Sequence, residues 1–162
     1  MKVKDVMMRT PASCDATTNL GAAVEILWNR NCGILPVVNS QGKVIGVVTD
    51  RDLCIALGTR NRLPREVTVG QVISGEVFTC KPGDEIHEAL DTMAREKVRR
   101  LPVINETGQL EGILSMDDVV LHSEAGIAGK DRELSSDTVV NTLKQLYLPE
   151  LPVVLRQKSA SA

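Results

Sequence analysis

The sequence predicts an α+β fold built from two β-α-β-β-α repeats that are related by a pseudo-twofold axis. The first observation is that the chain aligns with itself without a gap when it is shifted by 66 residues. The second is that each repeat contains two short apolar segments separated by a turn sequence, which is typical of a β-hairpin. The third is that helical apolar periodicity flanks each hairpin. One repeat buries too little apolar surface to be stable alone, so we expect the two to pack face to face.

The internal repeat divides the chain into four parts. The predicted hairpin LPVVNSQGKVIGVVTDRDL (35–53) aligns with LPVINETGQLEGILSMDDV (101–119), and the opening VKDVMM (3–8) aligns with VGQVIS (69–74). We therefore expect two repeats, a linker between them, and a C-terminal part with a loop, an accessory helix and a tail. Their boundaries are 1–58, 59–68, 69–123 and 124–162.

The first helix of each repeat is predicted from apolar spacing that follows a capping residue. Thr17 or Thr18 can cap a helix over 18–30, and its counterpart begins near Asp84. Both helices carry apolar side chains at positions i, i+3, i+4 and i+7. These are Leu20, Ala23, Val24 and Leu27 in one helix, and Ile86, Ala89, Leu90 and Met93 in the other.

Two strands, a turn and a second helix complete each repeat. The turns at 39–42 and 105–108 begin with Asn and end with Gly, which favours a tight reversal. The second helix begins at Asp50 or Met116, and the first of these ends near Gly58, a typical C-cap residue. Ser135 or Ser136 can cap an accessory helix over 135–148. The predicted strands span 34–38, 43–49, 100–104 and 109–115.

Composition narrows the classes of function. The net charge is −2 and only 2% of the residues are aromatic, so neither general attraction to nucleic acid or anionic lipid nor base stacking is expected. No apolar run reaches the roughly 18 residues of a membrane helix, and the N-terminus lacks the apolar core of a signal peptide. We expect a cytoplasmic protein with no membrane partner, no metal site and reduced, buried thiols. The thiols are Cys14, Cys32, Cys54 and Cys80.

The candidate binding element lies where each hairpin runs into the second helix. Thr49 and Ser115 stand at helix N-termini, where free N–H groups and the helix dipole favour an anion. Asp52 and Asp118 lie one turn later, where a carboxylate can accept hydrogen bonds from two ribose hydroxyls. The same spacing also fits a capping box, but its occurrence at equivalent places in both repeats favours ligand binding. The two elements are GVVTDRD (46–52) and GILSMDD (112–118).

These motifs resemble the cystathionine-β-synthase (CBS) domain pair, or Bateman module. The resemblance covers about residues 1–123 and rests on the VKDVM opening, the LPVV strand and the G-h-h-S/T-x-x-D element. It implies a non-catalytic regulatory module that binds an adenosine-containing ligand in clefts between the repeats. The implied ligand is AMP, ADP or ATP, with NAD or S-adenosylmethionine as further members of the class. It also implies that two modules pair and act on a regulated protein, which the sequence does not identify.

The resemblance assigns roles to individual positions in the two clefts. It implies that Thr49 and Asp52 hold the ribose in the first cleft, and that Ser115 and Asp118 do so in the second. The residues on the strand just before each hydroxyl would contact the base. These are Val47 and Ile113.

Basic residues distinguish the two clefts. Arg99 and Arg100 precede the second LPV strand, where members of the family that bind phosphates place cations, whereas Gly33 and Ile34 occupy the equivalent positions in repeat 1. We therefore expect the cleft of Ser115 and Asp118 to bind phosphates more tightly. Arg51, beside the first cleft, can partly compensate.

Two other functions stay open in the sequence. One is a protein-interaction or redox-regulating module that uses no ligand. The other is direct nucleic-acid binding through Arg60, Arg62, Arg65, Arg99 and Arg100. Catalysis is not expected, because no cysteine has a flanking histidine and the neighbouring carboxylates at 117 and 118 diverge on a helix. The aliphatic helical faces at 18–30, 51–57, 84–97 and 117–123 are expected to be buried in a homodimer.

Overall fold

The computed structural model describes residues 1–73, 76–123 and 134–148. The predicted loop between 124 and 133 and the tail after 148 lie outside the described residues. The elements of the described ranges are, in order, α1 (Val3–Val6), β1 (Met8–Arg9), α2 (Leu20–Asn29), β2 (Ile34–Val38), β3 (Val44–Thr49), α3 (Asp50–Thr59), 3₁₀ turns at Pro64–Glu66 and Val69–Gln71, α4 (Ile86–Glu96), β4 (Arg100–Ile104), β5 (Leu110–Ser115), α5 (Met116–His122) and α6 (Ser136–Tyr147).

Both repeats contain the predicted antiparallel hairpin. β2 pairs with β3, and β4 pairs with β5 in the same register. Gly42 and Gly108 turn the chain with φ of 74° and 83°, a conformation that glycine adopts without steric cost. The leading strand of each repeat is reduced to one parallel bridge, at Cys14 and at Cys80. The prediction of a mixed α+β fold with two equivalent repeats is therefore confirmed.

Each repeat is closed by the opening segment of the other repeat. Val67 and Val69 are buried in the core of repeat 1, whereas Val3 and Met7 are buried in the core of repeat 2. Backbone hydrogen bonds fix the exchange: Leu20 N donates to the carbonyl of Val67 at 2.9 Å, and Val3 N donates to that of Asp84 at 3.0 Å. We call residues 3–8 and 67–73 the crossed openings. They bind the two halves of the chain into one packed unit.

The accessory helix α6 packs on repeat 2. Ser135 caps it, because its hydroxyl accepts from Thr138 N at 3.1 Å. Val139 is buried in the core of repeat 2, and Leu143 and Leu146 pack against that core. α6 lies mainly on α4 and also contacts α5. It therefore covers part of the helical face over 84–97, which we expected from the sequence to be buried in a homodimer.

Two helices begin later than predicted because carboxylates hold the preceding turns. Thr17 and Thr18 do not cap α2, since both of their N–H groups donate to the carboxylate of Asp15 at 2.7 and 2.9 Å. Asn19 caps the helix instead, accepting from Ala22 N at 2.9 Å. Asp84 similarly accepts from Lys81 N at 2.7 Å, and α4 begins only at Ile86.

Gly58 is not the C-cap of α3. The helix continues to Thr59, and Arg60 caps it with its N–H bonded to the carbonyl of Ala56 at 3.1 Å. Asn61, with a φ of 48°, adopts the left-handed conformation that reverses the chain. Asparagine is one of the few residues that tolerate this conformation, and it therefore serves where glycine was expected.

The four cysteines lie in three different environments. Cys14 and Cys80 are buried, and burial raises the pKa of the first thiol to about 11 and that of the second to about 12. Cys32 is half-buried and Cys54 is exposed. The expectation of four buried thiols is therefore wrong for two of them. Cys32 is only half-buried, and Cys54 on α3 is exposed to solvent.

These thiols make the stability of the fold sensitive to alkaline pH. An unfolded thiol ionises near pH 9.0, whereas the native thiols ionise at about pH 11 and 12. Their contribution to the free energy of unfolding is thus intact below pH 9 and is lost as the pH rises through the native values. Replacing both Cys14 and Cys80 with alanine should flatten this decline, measured by urea unfolding between about pH 8 and 11. Cys54→Ala is the control and should leave the slope with pH unchanged.

Candidate functional site

A cavity of about 300 Å³ lies between the two repeats. The ends of β2 and β3 and the first turn of α3 form one wall, and the chain from the end of α4 to the start of β4 forms the other. Four of the lining side chains are cations and one is an anion, so the cavity is strongly electropositive. The lining residues are Gly33, Ile34, Val47, Thr49, Asp50, Arg51, Lys97, Val98, Arg99 and Arg100.

Arg100 occupies the boundary between the repeats. It pairs with Ser115 in the β4–β5 hairpin, and its Nη2 atom lies 3.7 Å from the carboxylate of the exposed Asp117. Its guanidinium group also reaches Gly33: a Cβ atom there would lie 3.6 and 3.7 Å from the two terminal nitrogens. These are ordinary van der Waals distances, so the guanidinium group packs directly against the backbone at Gly33. An ion pair with an exposed carboxylate is weak, so Arg100 is available to a ligand anion.

The position of Arg99 and Arg100 corrects the assignment made from the sequence. Both were expected in the cleft of Ser115 and Asp118, but both line the cavity that Thr49 lines. The reason is that the residue before each LPV strand faces across the repeat boundary, as Arg100 does toward Gly33. Cations of repeat 2 thereby line the cavity that Thr49 of repeat 1 also lines.

Each predicted hydroxyl–carboxylate pair forms a capping box. Thr49 donates its hydroxyl to Asp52 Oδ2 at 2.7 Å and its N–H to the same oxygen at 2.9 Å, and Asp52 N donates back at 3.2 Å. Ser115 and Asp118 repeat this arrangement with distances of 2.5, 2.9 and 3.2 Å. The alternative interpretation of the motif as a helix cap thus describes the present geometry. A ribose would have to use the second carboxylate oxygen or replace the hydroxyl.

Asp52 lines a different cavity from Thr49. This smaller cavity, of about 170 Å³, lies along α3 and is bordered by Arg60 and Val72. Arg60 is held in its wall because its Nη2 atom donates to the carbonyl of Gln71 at 2.7 Å. The N-terminal turn of α3 therefore stands between a cavity rich in basic residues and a smaller one lined by one carboxylate and one guanidinium group.

The second cleft differs at the predicted base-contact residue. Ile113 is buried and pairs with Met8 of β1, whereas Val47 is half-buried and lines the first cavity. The counterparts of β1 in repeat 2 would be residues 74 and 75, which lie outside the described residues. Of the two predicted base contacts, Val47 is the one that the structure brings to the cations.

Two charged lining residues were missed in the sequence. Lys97 ends α4 in a left-handed conformation, with φ of 57°, and its Nζ atom donates to the carbonyl of Gln145 in α6. The run KVRR (97–100) holds three cations in four residues, which was the available signal. Asp50 follows Thr49 directly and is the first residue of α3. Its carboxylate accepts a hydrogen bond from the N–H of Arg51 at 2.8 Å.

Two further properties concern the described parts of the chain alone. None of their helices has both the length and the apolar composition needed to cross a bilayer. In the same ranges, His, Cys, Asp and Glu side chains do not gather in groups of three or more that could hold a metal ion.

The family model described as "CBS domain" matches this sequence twice. The matches cover residues 3–59 and 69–124, which together are more than half of the chain. The two matched segments correspond to the two repeats of the structure.

Two curated relatives match this chain over about a quarter of their own length. The chain is 29% identical over 136 residues to inosine-5'-monophosphate dehydrogenase of Nitrosopumilus maritimus, and this covers 82% of the chain and 27% of the enzyme. It is 33% identical over 122 residues to the human 5'-AMP-activated protein kinase subunit gamma-3, covering 68% of the chain and 24% of that subunit. The chain thus spans about a quarter of the length of these relatives.

Solved structures share the fold. The crystal structure of CBSX2 in complex with AMP superposes with a TM-score of 0.65 and 25% identity, covering 74% of this chain and 93% of that one. The CBS domain pair of protein MJ0100, in complex with 5'-methylthioadenosine and S-adenosyl-L-methionine, gives a TM-score of 0.68 at 22% identity, covering 75% and 94%. The second likeness shows the fold alone.

Proposed function

This chain belongs to the CBS domain family, and from that premise we propose that it is a regulatory module that binds an adenine nucleotide. The observation that carries the proposal is the cavity between the repeats, whose lining residues include four with basic side chains. We propose AMP, ADP or ATP as the ligand, a separate regulated protein as the recipient of the signal, and the cytoplasm as the compartment. No catalytic step is proposed for the module itself.

The phosphates are assigned to the cationic cavity. Arg51 lies on one wall, and Arg99 and Arg100 lie on the other, so a phosphate chain can be held from both repeats. Lys97 also lines the cavity, but its Nζ atom donates to the carbonyl of Gln145 in α6. Guanidinium groups bind phosphate oxygens with paired, charge-assisted hydrogen bonds. The ten-residue helix α3 begins at this cavity, and its positive dipole end adds to the attraction. The likeness to the AMP complex of CBSX2 supports this class of ligand.

The ribose and base are assigned to the residues beside the phosphates. Asp52 borders the smaller cavity on the other side of the first turn of α3, and we propose it as the acceptor for ribose hydroxyls at the junction of the two cavities. Thr49 would turn its hydroxyl from Asp52 toward the ligand. Ile34 and Val47 offer apolar surface to the base within the same cavity. In the second cleft, Ser115 and Asp118 would hold a ribose and Ile113 would contact a base. We propose that this cleft is the weaker one, since the arginines line the first.

The linker arginines favour nucleotide binding over nucleic-acid binding. Arg60 donates to the carbonyl of Gln71 at 2.7 Å, and Arg62 donates to that of Glu66 at 2.6 Å. These guanidinium groups therefore have a structural use in the linker. With a net charge of −2, the chain also lacks the broad positive field on which nucleic-acid binding depends.

Calorimetric titration of the purified chain tests the proposed function. The ligands are AMP, ADP, ATP and adenosine, with NAD, S-adenosylmethionine and CTP as comparisons. Phosphorylated adenine ligands should bind more tightly than adenosine and CTP, and occupancy should raise the melting temperature by mass action. If none of the adenine compounds binds at millimolar concentration, the nucleotide proposal fails and the interaction module without a ligand replaces it.

A further inference from the structure

Lys97 connects the cationic cavity to the accessory helix α6. It follows α4 directly and lines the cavity between the repeats. Its Nζ atom donates to the carbonyl of Gln145, which belongs to the last turn of α6. Carbonyls in the last turn of a helix have no partner within the helix, and the negative end of the helix dipole favours a cation there. One residue therefore borders the candidate phosphate site while its side chain holds a helix that lies outside the two repeats.

The backbone at this position does not require a lysine. A shift of 66 residues places Asn31 on Lys97, and both residues adopt the left-handed conformation, with φ of 47° and 57°. Asparagine tolerates this conformation, whereas a residue with a long side chain adopts it at a steric cost. Lysine is therefore the less favourable residue for ending the helix, and the ammonium group is what distinguishes repeat 2 from repeat 1 here.

The contact with α6 is compatible with anion binding by the same side chain. An ammonium group has three N–H donors, and the bond to Gln145 uses one of them. A long side chain loses conformational freedom when it binds a ligand, and this loss opposes binding. The carbonyl of Gln145 restricts Lys97 before a ligand arrives, so part of that cost is removed. The helix that supplies the carbonyl is itself fixed, because Val139 is buried in the core of repeat 2 and Leu146 packs against that core.

We propose that α6 belongs to the nucleotide site, because it positions Lys97 to bind a phosphate group of the ligand. This inference rests on the proposed function and adds to it a fourth cation and the helix that orients this cation. The coupling is reciprocal, so a phosphate that holds Lys97 also strengthens the attachment of the last turn of α6. A phosphorylated ligand is thereby sensed by the C-terminal helix, whereas adenosine, which has no phosphate, has no effect on it.

The internal repeat supplies the variant that tests Lys97. Lys97→Asn copies the residue of repeat 1, so it keeps the backbone conformation and removes the cation. In calorimetric titrations it should weaken ATP binding about tenfold, the lower end of the range for hydrogen bonds to charged groups, and leave adenosine binding unchanged. Lys144→Gln is the matched control, because it removes the same charge from α6 at a residue that does not line the cavity. It should bind ATP like the wild type.

A substitution in α6 separates positioning from charge alone. Leu146→Ala loosens the last turn of α6 where it packs on repeat 2, and it changes no residue that lines the cavity. It should weaken ATP binding about threefold, the effect of restoring the freedom of one long side chain. In a chain that already carries Lys97→Asn, it should have no further effect. Equal weakening in both backgrounds would show that α6 does not act through Lys97, and the proposal would be overturned.

Amide hydrogen exchange tests the reverse direction of the coupling. In the wild type, saturating ATP should slow exchange over residues 144–148, and saturating adenosine should not. Lys97→Asn should abolish the protection by ATP. Protection that persists in this variant overturns the inference, and so does an unchanged affinity for ATP. A wild type that binds ATP without protection of α6 overturns this inference alone, whereas one that binds no adenine nucleotide overturns the proposed function as well.

Discussion

Replacing Arg100 with alanine should weaken the binding of ATP and ADP by about ten- to a hundredfold, the range for losing hydrogen bonds between charged groups. Adenosine should bind almost unchanged, because the guanidinium group has no phosphate to contact in that ligand. Arg100 reaches Gly33 across the repeat boundary and shares the cavity with Thr49 and Arg51. Arg100→Lys should recover part of the affinity, since an ammonium keeps the charge but not the paired geometry.

Calorimetric titration with ATP, ADP and adenosine measures this effect. Arg95→Ala is a suitable control, because Arg95 is an exposed cation on α4 that pairs with Glu96 and lies outside the cavity. Asp52→Ala and Asp118→Ala identify the cleft in which the tight site lies. We expect Asp52→Ala to weaken the tight site and Asp118→Ala to spare it. The opposite result would show that the tight site is the cleft of Ser115 and Asp118, as expected from the sequence.

Gly112→Val should destabilise the fold by about 3 kcal/mol, near the upper range for overpacking a closed contact. A Cβ atom at Gly112 would lie 2.8 Å from the backbone oxygen of Met8 and 2.8 Å from the sulfur of Met7. The backbone of β1 cannot move aside without losing its pairing with β5. The substitution therefore displaces a crossed opening and exposes the core beneath it.

Two other glycines serve as comparisons for Gly112. At Gly46, its counterpart in repeat 1, an added Cβ meets the flexible end of Ile73 at 2.7 Å, so Gly46→Val should cost less. At Gly58, an added Cβ atom would have no neighbouring atom within 4 Å. Gly58→Ala should therefore stabilise α3 by about 0.5–1 kcal/mol. Chemical unfolding of the three variants gives the order. Equal losses at Gly112 and Gly46 would show that β1 does not depend on close approach to β5.

Local features of this fold could be predicted from the sequence because they depend on neighbours in the chain. The hairpins, the turns at Gly42 and Gly108, and the cap at Ser135 all follow from residues within a few positions. The start of α2 was missed for a local reason too: Asp15 accepts from the N–H groups and hydroxyls of Thr17 and Thr18, and it thereby competes with the helix N-terminus for these two side chains. Such competition between two polar side chains is decided by geometry that a residue pattern does not contain.

Contacts between the repeats could not be predicted in the same way. Val3 and Val69 are equivalent and apolar, so the sequence would look the same whether each opening packed on its own repeat or on the other. The motif assigned Arg99 and Arg100 to the cleft of their own repeat for the same reason. Which half receives a segment depends on the path of the linker in space, and periodicity carries no information about that path.

Because of the crossed openings, residues 3–8 are synthesised first but belong to the core that is completed last. Repeat 1 can close once Ile73 has left the ribosome, because the described residues that pack in its core lie between Ala12 and Ile73. Residues 3–7 leave earlier but have no core to enter until Val119 has been made. At roughly 5–20 residues per second, this apolar segment waits for roughly 6–22 s. During synthesis this apolar segment is therefore exposed to chaperones after the neighbouring half has its core segments.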